Sequence, residues 1–66
     1  MDDAIARMPK ETVEYLQQMG FHFDKARMVW VKNSVGRIWR LSFEDTRDHD
    51  LAWVKSRVAE FATQPL

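Results

Sequence analysis

The chain contains no cysteine, so neither disulfides nor thiolate-bound metals can hold it together. It has only two glycines, too few for a phosphate-cradling loop, whose backbone must approach the ligand at several close-set glycines. Its longest apolar runs, Met28-Val29-Trp30-Val31 and Leu51-Ala52-Trp53-Val54, fall far short of the ~20 residues that span a bilayer. The acidic start Met1-Asp2-Asp3 is followed by no apolar stretch of the kind a secretory signal carries. Net charge is also missing, because ten basic residues cancel ten acidic ones. These absences predict a cytoplasmic protein that does not enter a membrane and whose overall charge selects no partner.

What remains is a chain of 66 residues, 45% of them hydrophobic. A domain of this size buries only about 60% of the surface its unfolded chain exposes. The aromatics Trp30, Trp39, Trp53, Tyr15 and four Phe are therefore central to its core. The expected organisation is a loose N-terminal lead-in over 1–8 and a single domain over 9–64.

Pro9 suits the first turn of a helix because its missing N–H needs no partner there, and Gly20 suits the stop. A helix is expected between them, with Leu16 and Met19 on its inner side. Phe21-His22-Phe23 then alternates apolar and polar as a short strand does. Arg27–Lys32 and Arg37–Phe43 are richer in β-branched and aromatic residues. Between them, Asn33-Ser34-Val35-Gly36 reads as a hairpin turn with Gly36 at positive φ. A three-residue loop with Asn33 opposite Arg37 would pair Val31 with Trp39 and Val29 with Leu41. Val29, Val31, Trp39, Leu41 and Phe43 would then face the core. Met28, Trp30, Lys32, Ile38, Arg40 and Ser42 would face outward. Slipping by one residue, to set Trp30 against Trp39, would exchange the two faces of the strand.

A second helix is read from Leu51, Val54, Val58 and Phe61, which recur at helical spacing. Asp48 is its expected N-cap, and Pro65 lies beyond its end. The fold class is thus α+β: a small α-β-β(-β)-α domain, an antiparallel two- or three-stranded meander with two helices packed on one face. The other face of the sheet has no obvious cover. The expected core is Leu16, Met19, Phe21, Phe23, Val29, Val31, Leu41, Phe43, Leu51, Val54, Val58 and Phe61.

The search for chemistry yields little. No metalloprotease motif and no nucleophile elbow is present. His22 stands between two Phe on a strand and so points outward, as an ordinary exposed residue or, less simply, a base or metal ligand. Asp48-His49-Asp50 fan out by ~100° each at a helix start, so they suit capping better than converging on one ion. No catalytic residue, cofactor or metal is expected.

Charge is uneven along the chain. Residues 1–20 carry four acids against two bases, and residues 45–66 carry four against three. The middle, 21–44, carries Lys25, Arg27, Lys32, Arg37 and Arg40 against Asp24 and Glu44. A basic strand region with an outward Trp30 is compatible with RNA or DNA, through phosphate contacts and base stacking. It is equally compatible with Trp30 stacking on Arg40 as a cation–π pair. Trp53 sits on the flank of the second helix, near Arg57 and Glu60, either half-buried or part of an interface.

The order helix, Gly-aromatic, three-stranded meander, helix is similar to the layout of HicA-type toxins, small RNases whose relatives share a double-stranded-RNA-binding-like fold. The likeness is carried by Met19-Gly20-Phe21 and the strands after it. The resemblance implies a catalytic histidine in the middle strand, whereas Arg27-Met28-Val29-Trp30-Val31 contains none. No catalytic residue therefore carries over, and a toxin-like nuclease using His22 is the third reading. The second is the nucleic-acid module. The first is a non-catalytic regulatory module that binds a protein partner or a second copy of itself, as a homodimer. Its candidate interface residues are Met28, Trp30, Ile38 and Arg40 on the open sheet face and Trp53 on the helix flank.

Overall fold

The computed structural model describes residues 4–63; Pro65 and the ends of both expected segments, residues 1–3 and 64, lie outside them. Helix α1 spans Lys10–Gln18, strands β1, β2 and β3 span His22–Asp24, Val29–Ser34 and Arg37–Ser42, and helices α2 and α3 span Phe43–Asp48 and Leu51–Thr63. The strands form one antiparallel sheet in the order β1-β2-β3. The helices lie on one side of it, as the amphipathic pattern requires.

Helix α1 begins directly after Pro9 and stops short of Gly20, whose φ is +92°. The Phe21 N–H bonds the Leu16 carbonyl at 2.9 Å and the Gly20 N–H bonds the Gln17 carbonyl at 3.1 Å. This paired closure uses two carbonyls that the helix end would leave open, and it needs the left-handed residue that glycine supplies. It also delivers Phe21 straight into the core.

The β2–β3 hairpin differs from the sequence expectation. Ser34 pairs with Arg37, leaving only Val35 and Gly36 in the loop, at φ +49° and +77°. Gly36 has the expected positive φ, but the loop is one residue shorter than anticipated. Two consecutive left-handed residues match the twist of the flanking strands, so a two-residue loop closes the hairpin. Trp30 consequently pairs with Leu41, Lys32 with Trp39 and Val31 with Arg40. The shift is one residue, in the direction opposite to a Trp30–Trp39 pairing, and it likewise turns Val29 and Val31 outward and Trp30 inward. Trp30 is completely buried. The driving force is size: burying an indole removes far more apolar surface from water than burying a valine.

Val35 is β-branched, 88% exposed and held in the left-handed region. An L-residue there costs about 1–2 kcal/mol, least for Asn. Val35→Asn is therefore expected to stabilise the chain by about 1 kcal/mol, raising the melting midpoint by roughly 4–8 °C. Thermal denaturation followed by circular dichroism checks this.

Strand β2 starts at Val29 rather than Arg27, because residues 25–28 close the β1–β2 hairpin. The Asp24 carboxylate accepts the Ala26 N–H at 3.0 Å and the Arg27 N–H at 3.2 Å, which sets the turn. Met28 completes it at φ +56°.

The core consists of Met8, Leu16, Phe21, Trp30, Leu41, Phe43, Val54 and Val58, with Phe23, Trp39, Trp53 and Phe61 packed against it. Phe23, Trp30 and Leu41 form one cross-strand row, and Phe23 lies 5.3 Å from Trp30 and 5.9 Å from Phe43. Trp39 stacks on Phe61 at 5.5 Å, tying α3 to the sheet. Met19, expected inside, is 37% exposed, since it caps α1 where the chain turns away. Leu51 is only half-buried.

The N-terminal segment is not a loose lead-in over its described part. Ala4–Arg7 forms a 3₁₀ turn, and Met8 is buried beneath Trp30. The Trp30 Nε1–H donates to Met8 Sδ at 3.3 Å, and Thr46 Oγ1 lies 3.8 Å from the same sulfur. Burying an indole creates a donor that must be matched, and the thioether matches it.

The acidic stretch after β3 is a helix of its own, capped by Ser42 Oγ, which accepts the Asp45 N–H at 3.1 Å. The N-cap of α3 is Asp50, whose carboxylate accepts the Trp53 N–H at 2.9 Å. Asp48, the cap expected from sequence, belongs instead to the end of α2.

Candidate functional site

With α1, α2 and α3 on one side, no described helix covers the other face of the sheet. The register decides which side chains stand on it. His22, Val31 and Arg40 form one row across the strands, Asp24, Val29 and Ser42 a second, and Asn33 and Ile38 a third. Val29, Val31 and Ile38 make an aliphatic centre, with Ile38 52% exposed. Around it stand His22, Asp24, Arg27, Asn33 and Arg40, and together these residues line an open concavity of about 440 Å³. Asp24 holds Arg27 in an ion pair at 3.4 Å. Arg40 has no ion pair among the described residues.

Of the interface residues named from sequence, Ile38 and Arg40 are on this face. Trp30 is not: the two-residue loop turns it to the opposite side, and the size of its ring keeps it in the core. The expected Trp30–Arg40 stack is accordingly absent, and Arg40 sits beside Val31. Met28 is 41% exposed, but in the β1–β2 turn, where its carbonyl accepts the Phe43 N–H at 3.0 Å. Trp53 is half-buried on the flank of α3. Its ring lies 3.8 Å from the His49 ring and nearly parallel to it, with the Arg57 guanidinium 5.9 Å away. Arg57 in turn pairs with Glu60 at 2.6 Å.

Val29 and Val31, expected in the core, are site residues instead. A signal for them is present in the sequence. A small domain gains most by burying its largest rings, and demanding Trp30, Trp39 and Leu41 on one face already forces the two valines onto the other.

The basic residues of the middle segment do not form one surface. Arg27 and Arg40 flank the open face, and Lys25 is in the adjacent turn. Lys32 and Arg37 point to the helix side, where Lys32 lies 5.1 Å from the Trp39 ring. Among the described residues no Phe, Tyr or Trp stands on the open face to stack with a base, and the His22 imidazole is a smaller platform, which weakens the case for single-stranded nucleic acid.

Asp48, His49 and Asp50 are engaged separately. Asp48 accepts from Arg47 at 2.7 and 3.0 Å. The hydrogen bond holds the carboxylate below its ordinary range, helped by Coulombic attraction, and raises the guanidinium. His49 Nδ1 lies 2.9 Å from the Asp45 carbonyl at the end of α2, and Asp50 caps α3. Among the described residues no three His, Asp or Glu side chains gather in a way that would hold a metal ion. No described helix is long and apolar enough to cross a membrane.

No family model, no curated protein and no solved structure matches this chain.

Proposed function

We propose that this chain is a non-catalytic, cytoplasmic interaction module that binds protein through the uncovered face of its sheet, with a second copy of itself as the simplest partner. The observation that carries this is the aliphatic centre of half-buried Val29 and Val31 and exposed Ile38, on the face away from every described helix. An apolar centre within a polar rim is the anatomy of a protein interface.

A two-fold pairing suits the distribution of charge. Asp24 stands on the β1 side of the face and Arg40 on the β3 side. A symmetry axis running along β2 would lay β1 over β3 of the partner and the valines over each other. Arg40 would then lie over the β1 side of the second copy, at the level of His22 and one row from Asp24, rather than over its twin.

Sedimentation velocity over a rising concentration series tests the reading. The wild-type chain is expected to shift from monomer to dimer between micromolar and millimolar concentration. Val31→Glu is expected to stay folded and remain a monomer throughout. A wild-type chain that stays monomeric to millimolar concentration defeats self-association, as does a Val31→Glu variant that still dimerises.

A further inference from the structure

We infer that the free edge of β3 is a strand-addition site for an extended, acidic segment of another protein. This site is distinct from the open face, although the two share Ile38 and Arg40.

The direction of each backbone group follows from the register. The Phe43 N–H bonds the Met28 carbonyl directly opposite at 3.0 Å. Antiparallel ladders alternate, so Leu41, Trp39 and Arg37 also turn their backbone groups toward β2. Ser42, Arg40 and Ile38 turn theirs away from the sheet. The Ser42 carbonyl is already used, accepting from Thr46 Oγ1 at 3.1 Å. The N–H and C=O of Ile38 and Arg40 are not bonded to any described residue. Both residues are exposed, and their spacing is the repeat of a strand-pairing template.

Sheets usually blunt such an edge with a proline, a bulge or a very short strand. The opposite edge is short, since β1 has three residues. The β3 edge has six residues, no proline and unbroken pairing to β2. Its charged residues are Arg37, beside the turn, and Arg40, midway along it.

Arg40 also selects the occupant. Two antiparallel β3 strands that engage both Ile38 and Arg40 must bring Arg40 opposite, or diagonal to, its twin. Like charges in those positions repel. A strand with a carboxylate opposite Arg40 replaces repulsion by attraction, and an aliphatic residue two positions along would cover Ile38. The site therefore fits an extended segment of alternating pattern in which an acid and an aliphatic residue share one face.

Backbone amide exchange measured by NMR tests this. The probe is a capped eight-residue peptide in which threonine alternates with valine and glutamate, beside a control with lysine for glutamate. Saturating acidic peptide is expected to slow exchange at the Ile38 and Arg40 amides at least tenfold, while the lysine peptide leaves them unchanged. Arg40→Glu is expected to invert the preference. Unchanged exchange at both amides under millimolar acidic peptide overturns the proposal. Equal protection by both peptides overturns the acidic occupant. Protection that grows with chain concentration and no peptide makes a second copy the occupant instead, again against the proposal. Repeating the titration in Val31→Gln separates this edge from self-association on the face, because a neutral polar side chain breaks the aliphatic centre yet leaves the charge of the neighbouring Arg40 and the β3 backbone untouched.

Discussion

Replacing Trp30 by glutamate is expected to leave the chain unfolded in water at room temperature. The indole is completely buried at the centre of the row formed with Phe23 and Leu41. Truncating such a ring to alanine costs about 3–5 kcal/mol. A carboxylate in its place adds a buried charge with no partner, worth several kcal/mol more. The whole stability of a domain this small is on the order of 5 kcal/mol. Far-ultraviolet circular dichroism of Trp30→Glu should therefore show neither the helices nor a cooperative melt. Ile38→Glu is the control from the same hairpin, since its side chain stands on the open face. It should melt close to the wild type. Native-like melting of Trp30→Glu would mean that the indole is on the surface and that β2 pairs with β3 in another register.

The second large effect is expected at Met8, before the first helix. Its side chain fills the space beneath Trp30 and supplies the acceptor for the indole N–H at 3.3 Å. Met8→Ala should cost about 2–5 kcal/mol, the usual range for deleting a buried long side chain. At about 4–8 °C per kcal/mol for a domain of this size, the midpoint falls by roughly 10 °C or more. Met8→Leu separates packing from hydrogen bonding, because it keeps the volume and removes the sulfur. It should cost less than Met8→Ala but more than nothing, since the Trp30 N–H is left without a partner. A Met8→Ala chain that melts with the wild type would make residues 4–8 dispensable, as a lead-in would be.

Helix α1 is legible in the sequence because both its boundaries are written in residue chemistry. Proline at the start and glycine at the end constrain the backbone whatever surrounds them. Helix α3 is legible from the spacing of Leu51, Val54 and Val58, although its cap lies two residues beyond the expected one. Asp48 and Asp50 are both competent caps, and only the position of α2 assigns them. The open face is also legible as a place, because two amphipathic helices can cover only one side of a three-stranded sheet. Its composition is not. Ile38 and Arg40 stand where the sequence puts them, while Trp30 and Lys32 stand on the opposite side from the expected one and Val29 and Val31 lie outside the core.

The sequence alone therefore determined the α+β class, the order of α1, the β2–β3 hairpin and α3, and the positive φ at Gly36, because these depend on local backbone sterics and on the period of apolar residues, whereas α2 is too short to show such a period. The tertiary structure decided the pairing of β2 with β3. Asn33-Ser34-Val35-Gly36 is compatible locally with loops of either two or three residues, and each choice inverts every side chain on the strand. Competition for a single small core resolves it, burying Trp30 against Met8, Phe23 and Leu41 at the expense of a strained Val35 and two valines left half-buried on the open face. That competition involves residues 22 positions apart in the case of Met8 and Trp30, a separation that no local pattern in the chain expresses.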